Sequence, residues 1–155
     1  MLNARLPAAT RVRYDSPAAL TDKQLAQILT ADGWPFERLG DTTWRSWFTV
    51  EELQHRFRFF ARLNRSWLFL TIIPYVVLPA DPAAHLAIYR HLLELNRTVT
   101  LAKFALDKND VVLTVELPTE HLVDSQVKDG LDALSYYAGL HYAEISELVA
   151  PRGAG

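Results

Sequence analysis

Cysteine is absent from this chain of 155 residues. That excludes disulfides, thiolate nucleophiles and cysteine-ligated zinc or iron–sulfur centres. No apolar run reaches the roughly 18 residues that a membrane helix needs. The longest, residues 67–78, is interrupted by Thr71 and Pro74 and reads as a strand. Neither sign of charge dominates: the net charge is −2 and the pI about 6.2. No global field therefore draws the chain to nucleic acid. The spacings H-E-x-x-H, G-x-S-x-G, G-x-x-x-x-G-K-[ST] and G-x-G-x-x-G are all missing. The sequence thus offers no catalytic residue, no metal set and no cofactor site, and the expectation is a protein that is not an enzyme.

What is present is ordinary for a globular domain: 50% hydrophobic and 22% charged residues. A chain of this length fits one domain and buries roughly 70% of its unfolded surface. Residues 1–20 carry Arg5, Arg11 and Arg13 but no apolar core of signal-peptide length. They read as a flexible arm, residues 21–149 as the domain, and residues 150–155 as a disordered tail. The lack of cysteine suits a reducing cytoplasm, which is the expected compartment.

Local signals order the chain. Thr21 and Gln24 make a capping box, with Leu20 and Leu25 as its staple. Leu25, Ile28 and Leu29 form the apolar stripe of the first helix, and Gly33 is placed to end it. The period then changes from 3.6 to 2. Residues 42–50 alternate, with Trp44, Ser46, Phe48 and Val50 opposite Arg45, Trp47 and Thr49. Residues 54–63 follow, with His55, Phe57, Phe59, Ala61 and Leu63 opposite Arg56, Arg58, Phe60 and Arg62. A turn at Asn64-Arg65 leads to a third strand, 66–75, apolar on both faces. Asp81-Pro82 starts a second helix that closes at Asn96. Strands 99–106 and 111–117 flank the polar turn 107–110. A last helix, capped by Thr119, carries Val123, Val127, Leu131, Leu134, Ala138, Tyr142, Ile145 and Leu148 on one face. Gly130 and Gly139 lie inside it, so a bend or end near Gly139 is expected. The fold class is α+β: a five-stranded antiparallel sheet with helices on one face, in the order α-β-β-β-α-β-β-α.

This order, the string LNR before the fourth strand, the hairpin KFALDKNDVVLTVELP and the long last helix resemble the YbjN family. That family looks like the class I type III secretion chaperones in fold. The resemblance covers roughly residues 21–149. It implies a homodimer or a protein-binding role, and regulation of sensing and motility.

The candidate site follows from parity. Phe57 and Phe59 point one way, so Arg56, Arg58, Phe60 and Arg62 point the other. A face with three arginines cannot be sealed under helices without burying unpaired charge. Helices should therefore cover the Phe57 side. Trp47, Arg56, Arg58, Phe60, Arg62 and Lys103 should form a partner-binding or dimer surface. Trp44 and Trp67 are expected in the core.

The leading reading is a chaperone-like or regulatory adaptor, a homodimer holding a segment of a client protein without contact with membranes. The alternative is single-stranded nucleic acid, stacked and neutralised on the same arginine and aromatic face. A third reading is a small hydrolase or metal-dependent enzyme. It needs His141 and Glu144, three apart on the last helix, to share a pocket. His121 and Asp124 offer the same spacing.

Overall fold

The computed structural model describes residues 19–151. Most of the expected arm (1–18) and most of the tail (152–155) lie outside the described residues.

Helix α1 (Asp22–Ala31) opens with the capping box read from the sequence. Gln24 N–H donates to Thr21 Oγ1 at 3.2 Å, and Thr21 N–H to Gln24 Oε1 at 2.9 Å. Leu20 and Leu25 are both buried. Gly33, at φ +79, supplies the left-handed residue just beyond the helix.

Among the described residues six strands form one antiparallel sheet, not five. They are β1 (Phe36–Arg38), β2 (Thr43–Val50), β3 (His55–Leu63), β4 (Trp67–Val77), β5 (Ala102–Asp107) and β6 (Asp110–Pro118). Their spatial order is β1-β2-β3-β4-β6-β5. The extra strand, β1, is three residues long, too short for alternation to announce it. It is held by pairing with β2 and by the Ser46 hydroxyl, which donates to the Pro35 carbonyl at 2.6 Å.

Asp81 does not cap the second helix directly. Its carboxylate accepts from Ala83 N–H at the head of a 3-10 turn, Pro82–Ala84, which feeds α2 (His85–Asn96). Asn96 closes α2 and reaches the edge strand: its amide donates to the Phe104 carbonyl (2.9 Å) and accepts from Phe104 N–H (2.7 Å).

Helix α3 (Asp124–Val149) begins four residues later than expected, with Val123 in the cap position. Thr119 is not its cap. That side chain is buried and donates to the Arg65 carbonyl at 2.7 Å, tying the end of β6 to the β3–β4 turn. Nor does α3 break at Gly139; it runs 26 residues without interruption. Gly130 has a packing reason. A Cβ there would lie 3.0 Å from Leu117 Cδ1 and 3.3 Å from Val115 Cγ1, so its absence lets α3 seat closely on the sheet.

The three helices share one face of the sheet. Leu25 and Leu29 of α1, Ile88 and Leu92 of α2, and Val127, Leu131, Leu134, Ala138 and Ile145 of α3 join the core. They meet Trp44, Phe57, Phe59, Leu68, Leu70, Ile72, Leu113 and Val115 from the strands. Within it Tyr75 donates its hydroxyl to the Ala138 carbonyl at 2.7 Å. Burial, with lesser repulsion from Tyr142 and Glu144, raises the Tyr75 phenol far above its ordinary range.

Candidate partner-binding face

The other face of the sheet carries no helix among the described residues. Its side chains follow from strand parity. Across β2 and β3, Arg45 pairs with Phe60, Trp47 with Arg58, Thr49 with Arg56 and Thr43 with Arg62. Across β3 and β4, Phe60 pairs with Thr71 and Arg62 with Phe69. Across β4 and β6, Phe69 pairs with Glu116 and Thr71 with Thr114. Lys103 of β5 lies opposite Thr114.

Trp47, Arg56, Arg58, Phe60 and Arg62 therefore come together on β2 and β3. Lys103 sits apart from them, across β4 and β6, on the far rim. Between the two groups the twisted sheet forms a concavity of about 590 Å³, lined by Phe60, Arg62, Phe69, Ile73, Val112 and Thr114 among others. Val112 and Thr114 make its floor and are buried, although no helix lies above them. The Thr71 and Thr114 hydroxyls satisfy each other there at 2.8 Å.

The cations on this face differ in their partners. Arg45 is ion-paired with Glu37, and Lys103 with Glu116 at 3.0 Å. Arg56, Arg58 and Arg62 have no carboxylate partner among the described residues. Two of the three lie over aromatic rings: Arg56 over Trp47 and Arg62 over Phe69, each at 5.0 Å. The central stripe thus keeps its positive charge while its rims are neutralised.

Trp67 is not in the core. It is 43% exposed at the start of β4, on the uncovered face, while Trp44 is fully buried. Phe69, Ile73 and Val112 also belong to this face and are absent from the sequence reading. The signal was the double apolar character of β4, which marks two faces but does not say which one stays uncovered.

A second apolar surface lies on the helical side. Helix α2 turns Leu86 (77% exposed) and Leu93 (70%) outward, seven residues apart on one stripe. The histidines make little. His141 Nδ1 lies 2.7 Å from Glu144 Oε1, and His91 Nε2 3.6 Å from the same oxygen. His121 lies exposed in the loop before α3 and makes no bond with Asp124 among the described residues. No group of three His or carboxylate residues is arranged to hold a metal among the described residues. No described helix is long and apolar enough to cross a membrane.

Sheet order and helix placement define an α+β protein with the fold of the type III secretion chaperones. The chain belongs to the YbjN family: the family's sequence profile, described as "Putative bacterial sensory transduction regulator", matches residues 21–135. No curated protein matches the chain. Among solved structures, a chain of the heterodimeric ExoU–SpcU complex from the Pseudomonas aeruginosa type III secretion system superposes with a TM-score of 0.57. It is 16% identical, over 81% of this chain and 98% of that one. A chain of the ExsC–ExsE complex gives 0.55 at 20% identity, over 83% and 97%. YbjN from E. coli gives 0.56 at 14% identity, over 87% and 100%.

Proposed function

We propose that this protein is a non-catalytic binding module that acts in the cytoplasm. It holds a segment of a client protein on the uncovered sheet face and works as a homodimer. One observation carries the reading: a concavity lined by Phe60, Phe69, Ile73 and Val112, beside a stripe of arginines without carboxylate partners among the described residues, on the face the helices leave open. Exposed apolar surface of this kind marks an interface, and aromatic and arginine side chains are the usual anchors of one. Two structures of the same fold are complexes with partner proteins, which supports a protein ligand.

Charge decides which surface serves which partner. A two-fold contact through the sheet face would set Arg56, Arg58 and Arg62 against their own copies, which is repulsive. The Leu86 and Leu93 stripe of α2, whose charges Arg90 and Glu94 neutralise each other at 3.0 Å, suits a second copy, and the arginine stripe suits a client with acidic groups. Nucleic acid fits less well, because Glu37, Asp107 and Glu116 share the face with the arginines.

Light scattering at micromolar concentration should give twice the monomer mass, and Leu86→Glu with Leu93→Glu should return it to the monomer. Pull-downs from the native cell should recover a protein that Trp47→Ala with Phe60→Ala loses and the α2 double variant retains. Identical recoveries from all three forms, or binding of oligonucleotides that falls steeply with salt, would reject the reading.

A further inference from the structure

The ladder between β3 and β4 is incomplete. β3 pairs with β2 along its whole length, from Thr43↔Arg62 to Val50↔His55. With β4 it pairs only from Phe60↔Thr71 to Leu63↔Leu68. The other half of β4 follows β6 through a register shift between Ile72 and Val76. Pro74, inside that shift, has no N–H to offer. The sheet therefore splits from within. A slit of about 540 Å³ opens between His55–Arg58 on one side and Ile72–Tyr75 on the other, with Glu37, Arg45 and Trp47 at its mouth. Its floor is the Phe57 and Tyr75 rings, stacked 5.7 Å apart.

We infer that this slit receives an extended, acidic segment of a partner protein, which pairs its main chain with the free edge of β3. The inference rests on the protein-binding reading above and adds the chemistry of the ligand. Three features on β3 select it. The backbone of residues 55–59 lacks a ladder partner on its β4 side, and such an edge takes up an added strand. The side chains that flank an added strand on the open face are Arg56 and Arg58, two residues apart and without carboxylate partners. Directly opposite cross-strand positions favour opposite charge. The ligand residue between the two acids faces the stacked Phe57–Tyr75 floor, where a small side chain lets the added backbone come closest to β3. The recognised pattern is thus acid, small residue, acid, over a strand of about five residues or roughly 17 Å.

The test uses three fluorescein-labelled peptides and the full chain, read by polarisation at low salt. One alternates Glu and Ala, one alternates Lys and Ala, and one carries the same Glu and Ala residues in two blocks. The alternating acidic peptide should bind at least about tenfold more tightly than either of the others, the scale of a charge-assisted pairing. Arg56→Glu with Arg58→Glu should remove that binding. Arg97→Glu, an exposed arginine beyond α2, should leave it unchanged. Hydrogen exchange of amides in residues 55–59 should slow on binding. Equal affinity for the alternating and blocked peptides would reduce the effect to surface charge and overturn the inference. So would binding that survives in the double variant with β3 exchange unaltered. A peptide that fails to bind, alongside a dimer that still recovers its client through Trp47 and Phe60, would overturn the slit and leave the binding-module reading standing.

Discussion

Exchanging Phe57, Phe60 and Trp47 for alanine, one at a time, asks which face of the sheet is core. Phe57 is 2% exposed. It stacks on Phe48 at 5.3 Å and on Tyr75 at 5.7 Å, and meets Tyr142 edge-on at 5.1 Å. A buried phenylalanine removes roughly 150–200 Å² from water, about 4 kcal/mol at about 25 cal/mol per Å². Measured truncations of this kind cost about 3–5 kcal/mol. Phe60 and Trp47 are half-buried on the uncovered face, with no helix above them. Their removal leaves no closed cavity, so each should cost about 1 kcal/mol. In urea, with a slope near 2 kcal/mol per M, Phe57→Ala should lower the midpoint by roughly 1.5–2.5 M and the other two by about 0.5 M. Client recovery should respond in the opposite order: Phe60→Ala and Trp47→Ala should each weaken it by about 1 kcal/mol or more. Phe57→Ala, where still folded, keeps Trp47 and Phe60 in place and should weaken recovery less than either of the other two. Equal midpoint losses at all three positions, with client recovery unchanged, would refute the assignment of the contact face.

Four further outcomes follow from single residues. Because Tyr75 is raised in the fold, the unfolded chain loses its phenolic proton first. Stability is fully present below about pH 10 and should fall above it by roughly 1.4 kcal/mol per pH unit. Tyr75→Phe should flatten that slope in urea titrations at pH 10–11. Gly139→Ala should raise the melting temperature, since its added Cβ meets Val50 at an ordinary 3.4 Å and gains helix propensity of about 1 kcal/mol. Gly130→Ala should fail to stabilise, because its Cβ meets Leu117 at 3.0 Å. Thr119→Val keeps shape but removes the bond to the Arg65 carbonyl, and should cost about 1 kcal/mol by thermal unfolding.

Legibility tracked how local each determinant is. The Thr21 and Gln24 box lies within four residues and was readable in full. The two faces of β3 were readable because arginine and phenylalanine alternate so sharply. β4 defeated the same reasoning: with both faces oily, parity could not tell that Trp67 and Phe69 stay uncovered. Thr119 looked like a cap because its partner, Arg65, is remote in sequence. Gly130 looked like a plain loss of helix propensity because the Leu117 and Val115 side chains that need its space belong to another element. The slit lies wholly in this remote class, since it depends on where β4 leaves β3 for β6.

The side-chain amide of Asn96 has a consequence for crowding. In an antiparallel pair, a residue points its N–H and carbonyl together, either toward its partner or away. Phe104 gives both to Asn96, so both point outward from β5, and a single amide stands in for one peptide unit of a neighbouring strand. The outer margin of the sheet is thereby closed at its midpoint. A foreign strand approaching there finds two short open stretches and no continuous row of donors and acceptors. At the opposite margin, β1 is only three residues long. Sheet margins are where chains zip into fibrils. With one corked and the other cut short, a concentrated solution of this protein should remain dispersed, where an unguarded margin would polymerise.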